Sequence, residues 1–226
     1  MTTTQPTIDL NRPLTPAAEA ILESASRLFY TRGITAVGVE AIALEAQTTK
    51  KTLYDRFGSK DGLVTVYLTR RLRTWQQYVE DYLATHRRRR KYAALLLLDA
   101  LAEWLANNER GCGFINAYAE LAGTGATGID VIREEKQWVR QTYSRLCAED
   151  GLTSPERRGA QLALIHPGPA QVAPEGVALV HPAHRRNGTL AAMLEPVLQE
   201  ALGAGSPVTA STADAHMVDV YARKWG

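Results

Sequence analysis

The sequence predicts an all-α protein, a small N-terminal three-helix domain followed by a larger helical body, and three observations carry that prediction. Apolar residues recur at steps of three and four through most of the chain up to Ile165, alternating strand patterns are scarce, and capping residues and glycines bracket short helices before Lys60. The 226-residue chain is 45% hydrophobic and 22% charged, ordinary for a soluble globular protein and far from the composition of disorder. Length and composition together give it enough apolar surface for a real core.

Residues 1–13 carry Thr, Gln, Asn and Pro with little apolar content and read as a flexible arm. Thr15 can cap a first helix with Pro16 at its opening position; Ile21, Ala25, Leu28 and Phe29 share one face until Gly33 offers a stop. A second short helix runs from Val39 to about Ala46, with Gly38 in the cap position. After Gln47 and Thr48, Thr49 can cap a third helix, Lys50 to Phe57, whose Leu53 and Phe57 lie four residues apart and pack inward. The other face is left to Lys50, Lys51, Thr52, Tyr54 and Arg56; Gly58 ends the helix and Ser59 caps the next, with Asp61 in its first turn.

Two short helices joined by a tight turn, the second presenting basic, hydroxyl and aromatic groups, have the geometry of a helix-turn-helix whose second helix enters the major groove. Pattern alone fits equally an ordinary three-helix subdomain with a solvated basic face. A net charge of +2 does not decide between them.

The particular residues do separate them. The run Gly33-Ile34-Thr35, then Val39-Glu40-Ala41-Ile42-Ala43, then Thr48 through Leu63, closely resembles the DNA-binding domain of the TetR family over about residues 14–63. Within it the element T-L-Y-x-x-F-x-S-K-x-x-L, Thr52 to Leu63, is specific. Two positions depart from the family's usual pattern: Gln47 stands where the turn usually has Gly, and Gly38 where the cap is usually Ser or Thr. Gln in a left-handed conformation costs on the order of 1 kcal/mol and Gly is a tolerable cap, so local backbone adjustment is the expected effect.

The resemblance implies an N-terminal helix-turn-helix domain, residues 14–60, a C-terminal helical effector-binding and dimerisation domain, residues 61–202, and a loosely ordered tail, 203–226. It also implies a homodimer on a double-stranded DNA operator, released by a small-molecule effector. Residues at the start of the third helix would contact bases while flanking positions hold phosphates. Lys50 and Lys51 can donate to guanine or phosphate, Thr49 and Thr52 can bond either, Tyr54 can reach a phosphate with its hydroxyl, and Thr48 is counted with them as a DNA-binding residue. Thr35, before the second helix, and Lys60, at the start of the fourth, lie where this family commonly grips the backbone.

In the body, a long helix is expected from Lys60 to about Leu83 and a heavily apolar one from about Tyr92 to Ala106. The segment Gly111 to Leu121 follows, opening on Gly111-Cys112-Gly113-Phe114-Ile115-Asn116-Ala117, which resembles a segment frequent in one branch of the family. A Gly/Thr loop leads to a helix through Trp138 to about Glu149, and Ser154-Pro155 opens another that meets Pro167. In the family this region pairs across a dimer. Here Pro167, Pro169, Pro174 and Pro182 interrupt it, each costing about 3 kcal/mol inside a helix, so the dimer helix is expected to be shortened or rerouted. A last helix is expected at about Thr189 to Leu202, containing Pro196. Trp75, Trp104, Phe114, Asn116, Tyr118 and Trp138 form the candidate effector region, since apolar walls with few polar groups suit a small apolar or aromatic molecule.

Other chemistry is not indicated. Cys112 and Cys147 lack paired spacing, and His166, His181 and His184 lack metal-ligand spacing, so no metal, cofactor or catalytic set is expected. No nucleophile elbow or phosphate-binding glycine loop is present, which argues against an enzyme. The run Arg87-Arg88-Arg89-Arg90-Lys91 is the strongest charge cluster, but about 1.5 Å per residue along the fourth helix carries it far from Lys60, so it reads as a solvated loop. No leader is evident and the apolar run Ala93 to Leu98 falls short of the ~20 residues of a membrane span, so a cytoplasmic protein with no membrane partner is expected. A repressor is the leading reading; a ligand-independent activator, an architectural DNA-binding protein and an enzyme on a recruited fold are its rivals.

Overall fold

The computed structural model describes residues 8, 10–87, 91–106 and 110–166. Among them are eight helices and no strand: α1 (Pro16–Arg32), α2 (Val39–Glu45), α3 (Lys50–Phe57), α4 (Lys60–His86), α5 (Ala93–Ala106), α6 (Gly113–Leu121), α7 (Gly128–Glu149) and α8 (Pro155–Ile165). The all-α expectation holds. The helix that was expected to stop near Leu83 continues to His86, and the segment expected from Gly111 becomes helical only at Gly113. The described chain divides into two compact units, residues up to 76 with 113–135, and residues 77–112 with 136 onward. The first unit therefore holds α1 to α3 and α6 together, with part of α4 and of α7.

The first unit starts as its capping signals require. The Thr15 side chain accepts from the Ala18 amide, Pro16 opens α1, and Ile21, Leu22, Ala25, Leu28 and Phe29 are buried along its inner face. Leu53 and Phe57 close the same core from α3, and Leu63, Val64 and Leu68 from α4. Arg70 of α4 is hydrogen-bonded to Glu19 of α1, and the Arg71 guanidinium lies 4.9 Å from the centroid of the Tyr30 ring. Gly62 permits the tight passage from α3 into α4: a Cβ there would stand 2.3 Å from the Phe57 carbonyl oxygen.

The second unit has a different interior. Ala93 to Leu98 of α5 are buried on every side, as the unbroken apolar run implies. Asp150 accepts from the Ala94 amide at 3.3 Å and so caps the start of α5 from the end of α7. Gly159 lets α8 approach α7 closely, since a Cβ would meet the Ser144 backbone nitrogen at 2.5 Å. Tyr143 is wholly buried and its hydroxyl meets His166 Nδ1 at 2.8 Å. Burial, seconded by the charge of Lys136, lowers the His166 pKa to about 3, and burial pushes the Cys147 thiol up to about 11. α8 ends at Ile165, just before Pro167; the prolines at 167, 169, 174 and 182, His181 and His184, the expected helix at 189–202 and the tail at 203–226 lie outside the described residues.

Candidate nucleic-acid interface

The α2-turn-α3 segment is shaped by one unusual residue and two caps. Ala46 ends α2, Gln47 takes φ 50°, and the Thr48 amide donates to the Ala43 carbonyl at 2.9 Å, turning the chain into α3. Gln47 thus adopts the left-handed conformation expected of it. Gly38 stands as the N-cap of α2 without a side-chain bond, as its lack of a side chain dictates. Thr49 caps α3, its hydroxyl oxygen accepting from the Thr52 amide at 3.1 Å and lying 2.9 Å from the Thr52 hydroxyl.

Burial of Leu53 and Phe57 fixes the rotation of α3, which leaves Thr49, Lys50, Lys51 and Tyr54 exposed, with Thr48 and Thr52 half-buried beside them. Tyr54 is 45% exposed, so it is only half seated on the domain. The cations are held by neighbouring acids. Lys50 Nζ donates to Glu40 Oε1 of α2 at 2.9 Å, and Lys51 Nζ to Asp55 Oδ2 at 2.6 Å, one turn along α3. The hydrogen bond from Lys50 lowers the Glu40 carboxyl pKa and raises that of the Lys50 ammonium. The two flanking candidates converge on another acid. Glu120 Oε2 accepts from the Thr35 amide and from the Thr35 hydroxyl, both at 2.7 Å. Partial burial lowers the Lys60 pKa, and the charge of Glu120 opposes that shift.

Sequence reading named the donors of this face and missed their acceptors. Asp55 was within reach of it, being four residues beyond Lys51 on a helix. Glu40 required the turn geometry, and Glu120, 85 residues from Thr35, left no local signal.

The six candidate effector residues are divided between the units. Trp75 and Phe114, each 3% exposed, belong to the core of the first, where Asn116 is half-buried and Tyr118 half-exposed on α6. Trp104 and Trp138 belong to the second, both half-buried; the Trp104 ring lies 5.0 Å from that of Tyr78, whose hydroxyl is pushed up to about 12 by burial and by Glu103. Arg87 donates to Glu149 at 2.6 Å; Arg88 to Arg90 lie outside the described residues. Among the described residues no group of three acids, histidines or cysteines could hold a metal, and no helix is long and apolar enough to cross a membrane.

Residues 21–66 match the model of the bacterial regulatory proteins of the tetR family, across α1 to α3 and the first turns of α4. The chain carries the TetR-family DNA-binding domain. Solved structures extend the likeness beyond it. A TetR-family transcriptional regulator of Streptomyces coelicolor is 27% identical with TM-score 0.58, covering 82% of this chain and 95% of its own. A TetR-type regulator of Streptomyces avermitilis is 23% identical with TM-score 0.65, covering 84% of this chain and 98% of its own. A TetR-family regulator of Cytophaga hutchinsonii shares the fold at 15% identity and TM-score 0.61, with 88% and 100% covered. No curated protein sequence matches the chain. The described chain shares the fold of these TetR-type regulators, and α2 and α3 stand where the matched domain carries its helix-turn-helix.

Proposed function

We propose that this TetR-type regulator is a homodimeric repressor that binds a near-palindromic operator and leaves it when a small effector binds the helical body. The observation that carries the DNA-reading part is the split face of α3: Leu53 and Phe57 wholly buried, Lys50, Lys51 and Tyr54 exposed, and the exposed Thr49 capping the helix at its start. In this reading Lys50, Lys51 and Thr52 meet base edges or phosphates, Thr48, Thr49 and Tyr54 meet phosphates, and Thr35 and Lys60 hold the backbone at the flanks. One recognition helix reads only a few base pairs, and a two-fold pair doubles the contact, which favours a dimer on a palindrome.

For the effector, α6 of the first unit, with the half-buried Asn116 and the half-exposed Tyr118, is one candidate contact region, and the Tyr78–Trp104 aromatic pair of the second unit is another. Trp75 and Phe114, buried in the same unit, would act as the packed wall of the former, and Trp138 would belong with the latter in the second unit. An effector that prefers the non-binding state must bind more weakly when operator is present.

The test is unbiased selection of bound duplexes by the full-length protein, followed by mass measurement of the complex and a reporter under the selected site. Selection of no sequence, one protomer per duplex, or reporter output that rises with the protein would each defeat its part of the proposal. Tryptophan quenching by apolar and aromatic compounds, repeated with operator present, tests the reciprocal release.

A further inference from the structure

Glu120 offers its carboxylate to the flank of the DNA-reading head. One oxygen takes both Thr35 donors at 2.7 Å. The other comes within 3.0 Å of where a Cβ on Gly33 would stand, and the charge of the group acts on Lys60. Thr35 precedes α2 and Lys60 opens α4, yet the first is hydrogen-bonded to this anion from α6 and the second lies within reach of its charge. An amide N–H and a hydroxyl on one negative oxygen, with an ammonium near enough to feel its charge, are what a DNA phosphate asks of a protein.

We infer that Glu120 occupies, in the protein without DNA, the seat of an operator phosphate, so that α6 carries a built-in competitor for the DNA backbone. The inference rests on the reading of Thr35 and Lys60 as phosphate-holding residues. Thr35 is exposed, so the carboxylate can be exchanged for a phosphate without burying an unpaired charge. Both anions cannot use the Thr35 amide at once, and like charges at that range repel. Glu120 is thus a positioning residue: a shift of α6 that withdraws it opens the seat, and a shift that presses it in closes the seat.

The experiment titrates the full-length protein on its selected duplex by fluorescence anisotropy over a salt series, with E120Q, E120A, E120D, T35A and K60A. E120Q and E120A keep or remove the hydrogen-bond acceptor but both remove the charge, and each should bind about 5-fold tighter than wild type. Their salt slope should steepen by about 0.9, the signature of one more phosphate contact fully made. E120D restores the charge and should return both readouts close to wild type. A contact that only braces the turn would instead lower the melting temperature and leave affinity equal or weaker; that result in whichever of E120Q and E120A keeps wild-type helical circular dichroism overturns the inference. If K60A and T35A leave affinity and slope untouched, the phosphate reading itself is wrong and the competitor falls with it. If K60A and T35A weaken binding while removal of the Glu120 charge does not tighten it, the phosphate reading stands and only the competitor is lost.

Discussion

The recognition face of α3 and the Tyr143–His166 pair use the same kinds of polar contact for opposite ends. The side chains of Lys50 on α3 and Glu40 on α2 are 54% and 66% exposed, and those of Lys51 and Asp55 on α3 more than half, so each partner can be traded for water or phosphate. Tyr143 and His166 meet in the dry interior of the second unit, where losing a partner strands a polar group. Solvated pairs keep the reading head soluble and exchangeable, while the buried pair fixes one packing of α7 against the residue that ends α8. A mutation at the first should change binding with little effect on stability, and a mutation at the second the reverse.

The largest expected effect is on stability. Tyr143→Ala should cost about 3–5 kcal/mol, because a wholly buried ring leaves a cavity and His166 loses its partner. Thermal unfolding followed by circular dichroism measures it, and a loss under 1 kcal/mol would mean that the site collapses freely. Acid should act on the same pair. With the folded His166 pKa at about 3 and an unfolded value of about 6.5, the unfolded chain takes up a proton that the native state refuses. The stability is fully present above about pH 6.5 and is lost as pH falls towards 3, by up to about 1.4 kcal/mol per unit. Wild type should therefore lose melting temperature between pH 6 and 4.5 more steeply than His166→Gln; parallel curves would place the histidine in water.

On the reading face the effect moves to affinity. Lys50→Ala and Tyr54→Ala should each weaken operator binding by about 1–3 kcal/mol with melting temperature nearly unchanged. Wild-type affinity in both would remove α3 as the reader. Substituting Gln for Arg87 to Arg90 should leave the salt slope of operator binding within one contact, since Arg87 is already engaged by Glu149 in the unit that lacks the helix-turn-helix. A drop of several contacts would assign the run to DNA.

How much of this was legible in the sequence follows the range of each interaction. Caps and helix stops are local, so Thr15, Thr49, Ser59 and Gly58 act where the residue order placed them. The inward pair Leu53 and Phe57 was equally local, and with it the exposed set on α3. What escaped were contacts made across the fold: Glu40 on Lys50, Glu120 on Thr35, and the grouping of α6 with the first unit. A lone acid on a helix face reads as solvated until the fold brings a donor to it.

Gln47 yields the smallest predicted effect and the cleanest separation of backbone from recognition. Its φ of 50° places a side chain in the left-handed region, which costs a non-glycine residue roughly 1–2 kcal/mol. Gln47→Gly removes that strain, but glycine also loses more backbone freedom on folding, about 0.5–1 kcal/mol. The difference leaves a gain between about zero and 1.5 kcal/mol, seen as a rise of at most a few degrees in melting temperature. Operator affinity should stay at the wild-type value, because the turn already has the path that glycine would take and the Thr49 cap that orients α3 is untouched. A tighter operator complex without added stability would mean instead that the Gln47 side chain stands in the way of the duplex.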